Sequence, residues 1–275
     1  MDKELNRTIM TMKQSYNKDI SIYDRSFLIK NLEKRKMAIQ TEKVEDYIQV
    51  LKEDRKEAEN FYESFNIHYS QFFREPFIFT LLEQVILSSI INNKPPGREI
   101  RVWSAGCSHG QEPYSIAILL SEFAETFQKV VRFRIFATDI SQEAVSIGQA
   151  GIYNQDAIKN VKMMYLDKYF VKQGETYMIT PQLKKNISFL TYDLLDKTSI
   201  NPPESIYGDF DIVMCSNVLF YYKTEVQQFI INKLRKATSS SGYLITGEAE
   251  RVCAEKVSKL TSMAMQIPIF QNVIR

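Results

Sequence analysis

Arg101-Val102-Trp103-Ser104-Ala105-Gly106-Cys107-Ser108-His109-Gly110-Gln111-Glu112-Pro113-Tyr114-Ser115 decides the fold. A short apolar strand runs into a loop of small residues, and the loop opens a helix. Pro113 falls in the first helical turn, where its missing N–H costs nothing. Downstream, Phe133-Arg134-Ile135-Phe136-Ala137 is a second strand, followed by Asp139. In an open α/β sheet, ligands bind beyond the carboxyl ends of the strands. This loop and Asp139 therefore predict a pocket for a nucleoside-bearing cofactor. Small residues let the backbone approach a ligand closely. The spacing Gly106-x-x-x-Gly110 is not G-x-G-x-x-G, which weighs against a dinucleotide pyrophosphate cradle. An acid after strand two can accept two ribose hydroxyls in several cofactor classes, so the loop alone leaves the cofactor open.

Outward from this point, strands and helices alternate. Ser141 caps a helix through Gln149, and Ile187-Ser188-Phe189-Leu190 is a third strand. Asp211-Ile212-Val213-Met214-Cys215 is a fourth, and a helix opened at Thr224 presents Val226, Phe229, Ile230 and Leu234 on one face. Gly242 to Thr246 is a fifth strand. Residues 267–274 are a last strand at or near a sheet edge, because Pro268 is poorly tolerated centrally. Alternation of this kind predicts an α/β fold with a doubly wound, mostly parallel sheet. Tyr177-Met178-Ile179 belongs to a small β-hairpin insertion at about 165–186.

Residues 1 to about 66 contain no Gly and no Pro and read as helices. Val44, Tyr47, Ile48 and Leu51 form one apolar stripe, with Thr41 as the expected N-cap. A further helix covers roughly 76 to 92. The expected organisation is an N-terminal all-helical domain over 1–70 and an α/β domain over 71–275.

Composition narrows the partners. The chain of 275 residues has a formal net charge of +2, too small to argue for nucleic acid. No apolar run approaches the ~18 residues of a membrane helix. Met1 to Leu5 is polar and mixed in charge, unlike a signal peptide. Cys107, Cys215 and Cys253 lie far apart and only two histidines are present, so no metal site is expected. The expected setting is cytoplasmic, without nucleic acid or membrane insertion.

Several segments together resemble the chemotaxis receptor methyltransferases, the CheR family. Ser70-Gln71-Phe72-Phe73-Arg74-Glu75-Pro76 resembles the family's T-x-F-F-R element. Trp103 to Ser115 resembles W-S-A-x-x-S-x-G-E-E-P-Y-S. Ala137-Thr138-Asp139-Ile140 and Gly151-Ile152-Tyr153 match in order and spacing. Phe210 to Tyr222 resembles F-D-x-I-x-C-R-N-V-x-I-Y-F, and Gly247-Glu248-Ala249-Glu250 stands where the family has G-H-S-E. The resemblance runs from about residue 20 to the C-terminus. It implies a class I methyltransferase-like fold and S-adenosylmethionine as cofactor, with S-adenosylhomocysteine as product.

The implied reaction is methylation of glutamate side chains in the cytoplasmic helical region of a chemoreceptor. Carried over residue by residue, His68, Ser70, Arg74, Gly106, Glu112, Asp139, Asp193, Leu194, Ser216 and Asn217 line the cofactor pocket. Arg74 and Tyr221 stand near the reacting methyl. The basic cluster Lys30, Lys34, Arg35 and Lys36 matches the receptor-docking helix. The chain departs from the family at Ser216 (Arg), Gln111 (Glu), Glu248 (His) and Ser70 (Thr). The hairpin near Gly174 is short, which implies a protein, expected to be monomeric, that acts without tethering to a receptor-tail pentapeptide.

A glutamate with a pKa of about 4.3 is already ionised at neutral pH, so its methylation needs no general base. That suits a chain with no acid–base dyad; its work is positioning and desolvation. Phe72, Phe73, Phe220, Tyr221 and Tyr222 are candidates for a dry lining. Two other readings stay open: a methyltransferase with another acceptor, and a non-catalytic module that binds the cofactor or its product. A nicotinamide oxidoreductase is disfavoured by the glycine spacing and by the absence of a catalytic His or Lys constellation.

Overall fold

The computed structural model describes residues 2–67, 69–95, 97–128 and 130–273. The chain divides into two compact units. One comprises Met1–Ile67 with Phe220–Gln227, the other His68–Leu219 with Gln228–Arg275. The short segment Phe220–Gln227 thus groups with the helices, although the sequence places it amid the strand–helix alternation.

The first unit contains α1 (Asp2–Tyr16), α2 (Arg25–Ala38), α3 (Val44–Glu53) and α4 (Arg55–Glu63). Asp24 caps α2 by accepting the N–H groups of Ser26 and Phe27, and Asp54 caps α4 in the same way. The expected cap at Thr41 is absent; α3 starts at Val44 after Lys43, and the Thr41 hydroxyl donates back to the Lys36 carbonyl. The core of this unit holds Met12, Ile20, Leu28, Tyr47, Leu51, Phe61 and Phe65, with Tyr221 and Tyr222 packed on it.

A buried ion pair ties α2 to α4. Glu57 is 4% exposed and takes the Arg35 guanidinium through both carboxylate oxygens, while the Tyr47 hydroxyl donates to it at 2.7 Å. Lys36 is also buried, against Glu33. Two of the four residues of the basic cluster, Arg35 and Lys36, are thus engaged in ion pairs within this unit. On a helix, residues 28, 31, 32 and 35–36 share the inner side, so only Lys30 and Lys34, one turn apart, face solvent.

The second unit is built on a seven-stranded sheet of β1 (Ile100–Ala105), β2 (Phe133–Asp139), β6 (Ile187–Thr191), β7 (Phe210–Cys215), β8 (Thr238–Thr246), β9 (Leu260–Ser262) and β10 (Ile269–Asn272). Its order is β6-β2-β1-β7-β8-β10-β9. β1 pairs in parallel with β2 and β7, and β10 runs antiparallel between β8 and β9. This is the doubly wound, mostly parallel α/β arrangement expected from the sequence. The expected last strand therefore lies one place in from the edge, and the strand that follows Pro268 pairs on both sides. Pro268 itself precedes the strand, and its carbonyl accepts the Thr246 N–H. Ile274 lies outside the described residues.

β1 is buried along nearly its whole length, as a central parallel strand covered on both faces should be. The helix expected over 76–92 is interrupted by a π-helical turn at Leu82–Ile86, between α-helical segments Pro76–Leu81 and Leu87–Asn93. The hairpin of β4 (Phe170–Gln173) and β5 (Thr176–Ile179) gains a third strand, β3 (Ile152–Asn154), in the order β3-β5-β4. Among the described residues no helix is long and apolar enough to cross a membrane.

Candidate cofactor site

The loop after β1 is stitched to the end of β2. The N–H groups of Gly106 and Cys107 both donate to the Thr138 carbonyl at 2.8 Å, and the Trp103 indole N–H donates to the Thr138 hydroxyl. Gly106, Ser108 and Gly110 all have positive φ, at +79°, +49° and +89°. At Gly106 a Cβ would lie 2.5 Å from Cγ2 of Val218, so the loop after β7 fits only against a glycine. The Gly106-x-x-x-Gly110 spacing reflects two separate left-handed positions in one tight turn.

Residues of the sequence motifs brace this loop from outside. Tyr153 donates its hydroxyl to the His109 carbonyl at 2.8 Å, and Tyr114 donates to the Gly148 carbonyl at 2.9 Å. Ser115 donates to Gln111 and accepts the Phe73 N–H, which ties the 70–76 segment to the helix Gln111–Thr126. Phe72 and Phe73 are core residues, with Phe72 edge-on to Tyr153 and Phe170; they do not line the site.

Glu112 begins that helix. Ser104 donates to its Oε1 at 2.6 Å. The carboxyl lies deep among protein atoms while the residue keeps a partly open surface. Burial pushes its pKa up to about 8, reinforced by the charges of Glu250 and Glu75 and opposed by Ser104 and Arg74. Asp139 is half-buried; one oxygen accepts the Ser108 N–H and the other the Ser141 N–H, which leaves each oxygen a lone pair for a ligand.

Arg74 donates to the Tyr69 carbonyl at 3.3 Å and lies 5.3 Å from the centre of the Tyr69 ring. Ser70 is half-buried just before Phe72. Asp193 is exposed and accepts the Leu195 N–H, with Leu194 buried beside it. Asn217 takes φ +61°. Tyr221 belongs to the helical unit, its ring tilted 4.7 Å from that of Phe27. His68 lies outside the described residues.

The site fits a polar, cationic ligand. Ser108 Oγ, Gln111 Oε1 and Ser216 Oγ are buried with no hydrogen-bond partner among the described residues, and all three follow β1 or β7. Such orphans are expensive unless a ligand satisfies them. Beside them stand two acids, Glu112 and Asp139, suited to an amine and to a ribose diol.

Sequence reasoning misses two parts of the site. Glu250 is buried and receives backbone N–H groups from both the 217–219 and 247 turns; its signal is its place three residues after Gly247 at a helix start. Lys233 is 6% exposed, donates to the carbonyls of Leu194 and Asp196, and lies over the Tyr192 ring. It thereby holds the Asp193–Leu194 loop, and burial lowers its pKa. The expected face of this helix is accordingly shifted. Ile230, Ile231, Lys233 and Leu234 are buried, and Phe229 is exposed.

Residues 68–268 match the family model described as "CheR methyltransferase, SAM binding domain". A chemotaxis protein methyltransferase of Borreliella burgdorferi is 33% identical over 69% of this chain and 66% of its own length. One from Pseudomonas putida, named Cher2, is 32% identical over 65% of this chain and 64% of its own. An uncharacterized 104.1 kDa protein of Rhodobacter capsulatus is 28% identical over 80% of this chain but 22% of that protein. The chain thus spans slightly less than two thirds of the two methyltransferases and about a fifth of the larger protein. The matched domain is one that binds S-adenosylmethionine, and the acids and unpartnered polar atoms of this loop suit that cofactor.

Proposed function

The chain belongs to the CheR methyltransferase family, and we propose that it transfers a methyl group from S-adenosylmethionine to glutamate side chains of a chemoreceptor's cytoplasmic helices. The observation that carries this reading is the buried Glu112 carboxyl in the first turn of the helix after the β1 loop, near the charge of Arg74, with Asp139 at the end of β2. S-adenosylmethionine supplies a methyl group activated on a sulfonium. In this reading Glu112 accepts from the cofactor's amine and Asp139 from its ribose hydroxyls. Asp193 and Leu194 border the adenine, Gly106 gives close backbone approach, and Ser70, Ser216 and Asn217 complete the lining.

Arg74 is the residue to orient a carboxylate, because a guanidinium offers a planar fork of donors. Tyr221 is assigned to the acceptor side. The acceptor is ionised at neutral pH, so no residue has to take a proton. Ser216 stands where the family has Arg, which favours as second reading a module that binds the cofactor without turning it over. Transfer of isotopic methyl to receptor-rich membranes, followed by base-labile release as methanol, separates the two.

Residues 1–70 are assigned to receptor docking through Lys30 and Lys34. The Lys30→Ala/Lys34→Ala variant is expected to slow receptor methylation by about tenfold at low salt and much less at high salt, with its thermal midpoint unchanged. Arg35→Ala should instead lower the midpoint, because it leaves the buried Glu57 carboxylate without its cation. Equal rates and equal salt dependence for the double variant and the unaltered chain would rule out docking on this face. The four-residue strands of the β4–β5 hairpin support action without a pentapeptide tether. Removing the receptor's tail is therefore expected to leave the methylation rate unchanged.

A further inference from the structure

Two carboxylates that the proposed reaction does not use converge on Asn217. Glu75 is itself in a left-handed conformation, at φ +59°. Its Oε1 accepts the Asn217 side-chain amide at 3.0 Å and its Oε2 the Glu248 N–H at 3.1 Å. Glu250, 2% exposed, accepts the N–H groups of Asn217 and Gly247 on Oε2, both at 2.9 Å, and that of Leu219 on Oε1 at 2.5 Å. Gly247 is needed for this approach, since a Cβ there would lie 2.8 Å from the Asn217 amide nitrogen. Val218, next in the chain, fills the space that a Cβ on Gly106 would take. The contacts run without a break from Glu75 and Glu250 through Asn217 and Val218 to the cofactor loop.

Only a carboxylate suits these positions. It accepts and does not donate, so one group can take two or three N–H donors at once. Charge also strengthens each bond. At 250 glutamine would set an NH2 group against a backbone N–H donor, and at 75 it would remove the charge that strengthens both bonds.

We propose that Glu75 and Glu250 are positioning residues of the cofactor pocket, a double carboxylate clamp that holds Asn217 left-handed and joins the Arg74 segment and the loops after β7 and β8 into one wall. This rests on the reading of the site as an S-adenosylmethionine pocket.

Calorimetric titration of the full chain with S-adenosylhomocysteine tests it, using Glu75→Gln, Asn217→Ala and the double variant. The titration is run at pH 9, where Glu112 is ionised and its protonation no longer enters the comparison. Glu75→Gln is expected to weaken binding by about tenfold with an unchanged thermal midpoint. The double variant should bind no more weakly than Asn217→Ala alone, because both remove the same contact. Glu250→Gln should weaken binding further where it folds; Glu75, only half-buried, keeps the test sound where it does not. Binding by Glu75→Gln equal to that of the unaltered chain, or losses that simply add, would overturn the clamp. No binding by the unaltered chain would overturn the reading of the site and the clamp with it.

Discussion

Replacing Glu112 by Gln is expected to weaken S-adenosylhomocysteine binding about 100-fold at pH 8.5 while making the ligand-free protein more stable. The first effect follows from losing a charge-assisted hydrogen bond to a cationic amine in a buried site. The second follows from the raised pKa. An ordinary glutamate ionises near 4.5, and Glu112 holds its proton to about 8. Between these values the unfolded chain has released the proton and the folded chain has not. Stability associated with Glu112 is therefore complete below pH 4.5 and declines as pH rises through about 8. Gln carries no such charge. The gain in stability of the variant should be under about 1 kcal/mol at pH 5 and of order 4 kcal/mol at pH 8.5, read from denaturant melts at the two values.

Binding has the opposite pH dependence. A cationic ligand favours the ionised carboxylate, so the unaltered chain must release a proton to bind below pH 8. Its affinity is expected to rise up to about tenfold per pH unit toward pH 8 and then level off. In Glu112→Gln this rise should disappear. A flat profile in the unaltered chain would remove Glu112 from the site.

Gly106→Ala is the second large effect. The residue has φ +79°, and the added Cβ would meet Val218 Cγ2 at 2.5 Å, tighter than real contacts. Backbone strain alone costs about 1–3 kcal/mol, and Val218 is held through Asn217. The loop must therefore move, and cofactor affinity should fall about 100-fold or more, since close backbone approach depends on this position. Gly174→Ala is the control. It also has positive φ, +60°, but nothing lies within 4 Å of its Cβ position. It should cost about 1 kcal/mol and leave cofactor affinity intact. Equal affinity in Gly106→Ala and the unaltered chain would show that the loop does not touch the ligand.

The parts of the fold that were legible in the sequence are those set by local rules. The strand–loop–helix at 100–126, the Ser141 cap and the buried parallel strands follow from apolar runs, small residues and capping chemistry. The parts that were not legible depend on tertiary neighbours. Arg35 and Lys36 read as surface charge, because nothing local indicates that Glu57 meets Arg35 from α4. Lys233 stands seven residues after Val226, on the inner side of its helix, but nothing local indicates that its ammonium meets the Leu194 and Asp196 carbonyls. The π-helical turn at Leu82–Ile86 and the pairing of β3 with β5 have no local marker. In the site, Glu112, Asp139 and Gly106 were marked by the loop and the strand ends. Glu75 reaches the Asn217 side-chain amide and the Glu248 N–H, and Glu250 the N–H groups of Asn217 and Leu219, across separations that local spacing does not reveal.

The most direct test of the central claim is methyl transfer itself. The purified chain is incubated with receptor-rich membranes and S-adenosylmethionine carrying an isotopic methyl group, and base-labile label on the receptor is counted. Methyl transfer to glutamate predicts label that alkali releases as methanol and that falls sharply with Glu112→Gln at low cofactor concentration. Tight cofactor binding with no label on the receptor would contradict it.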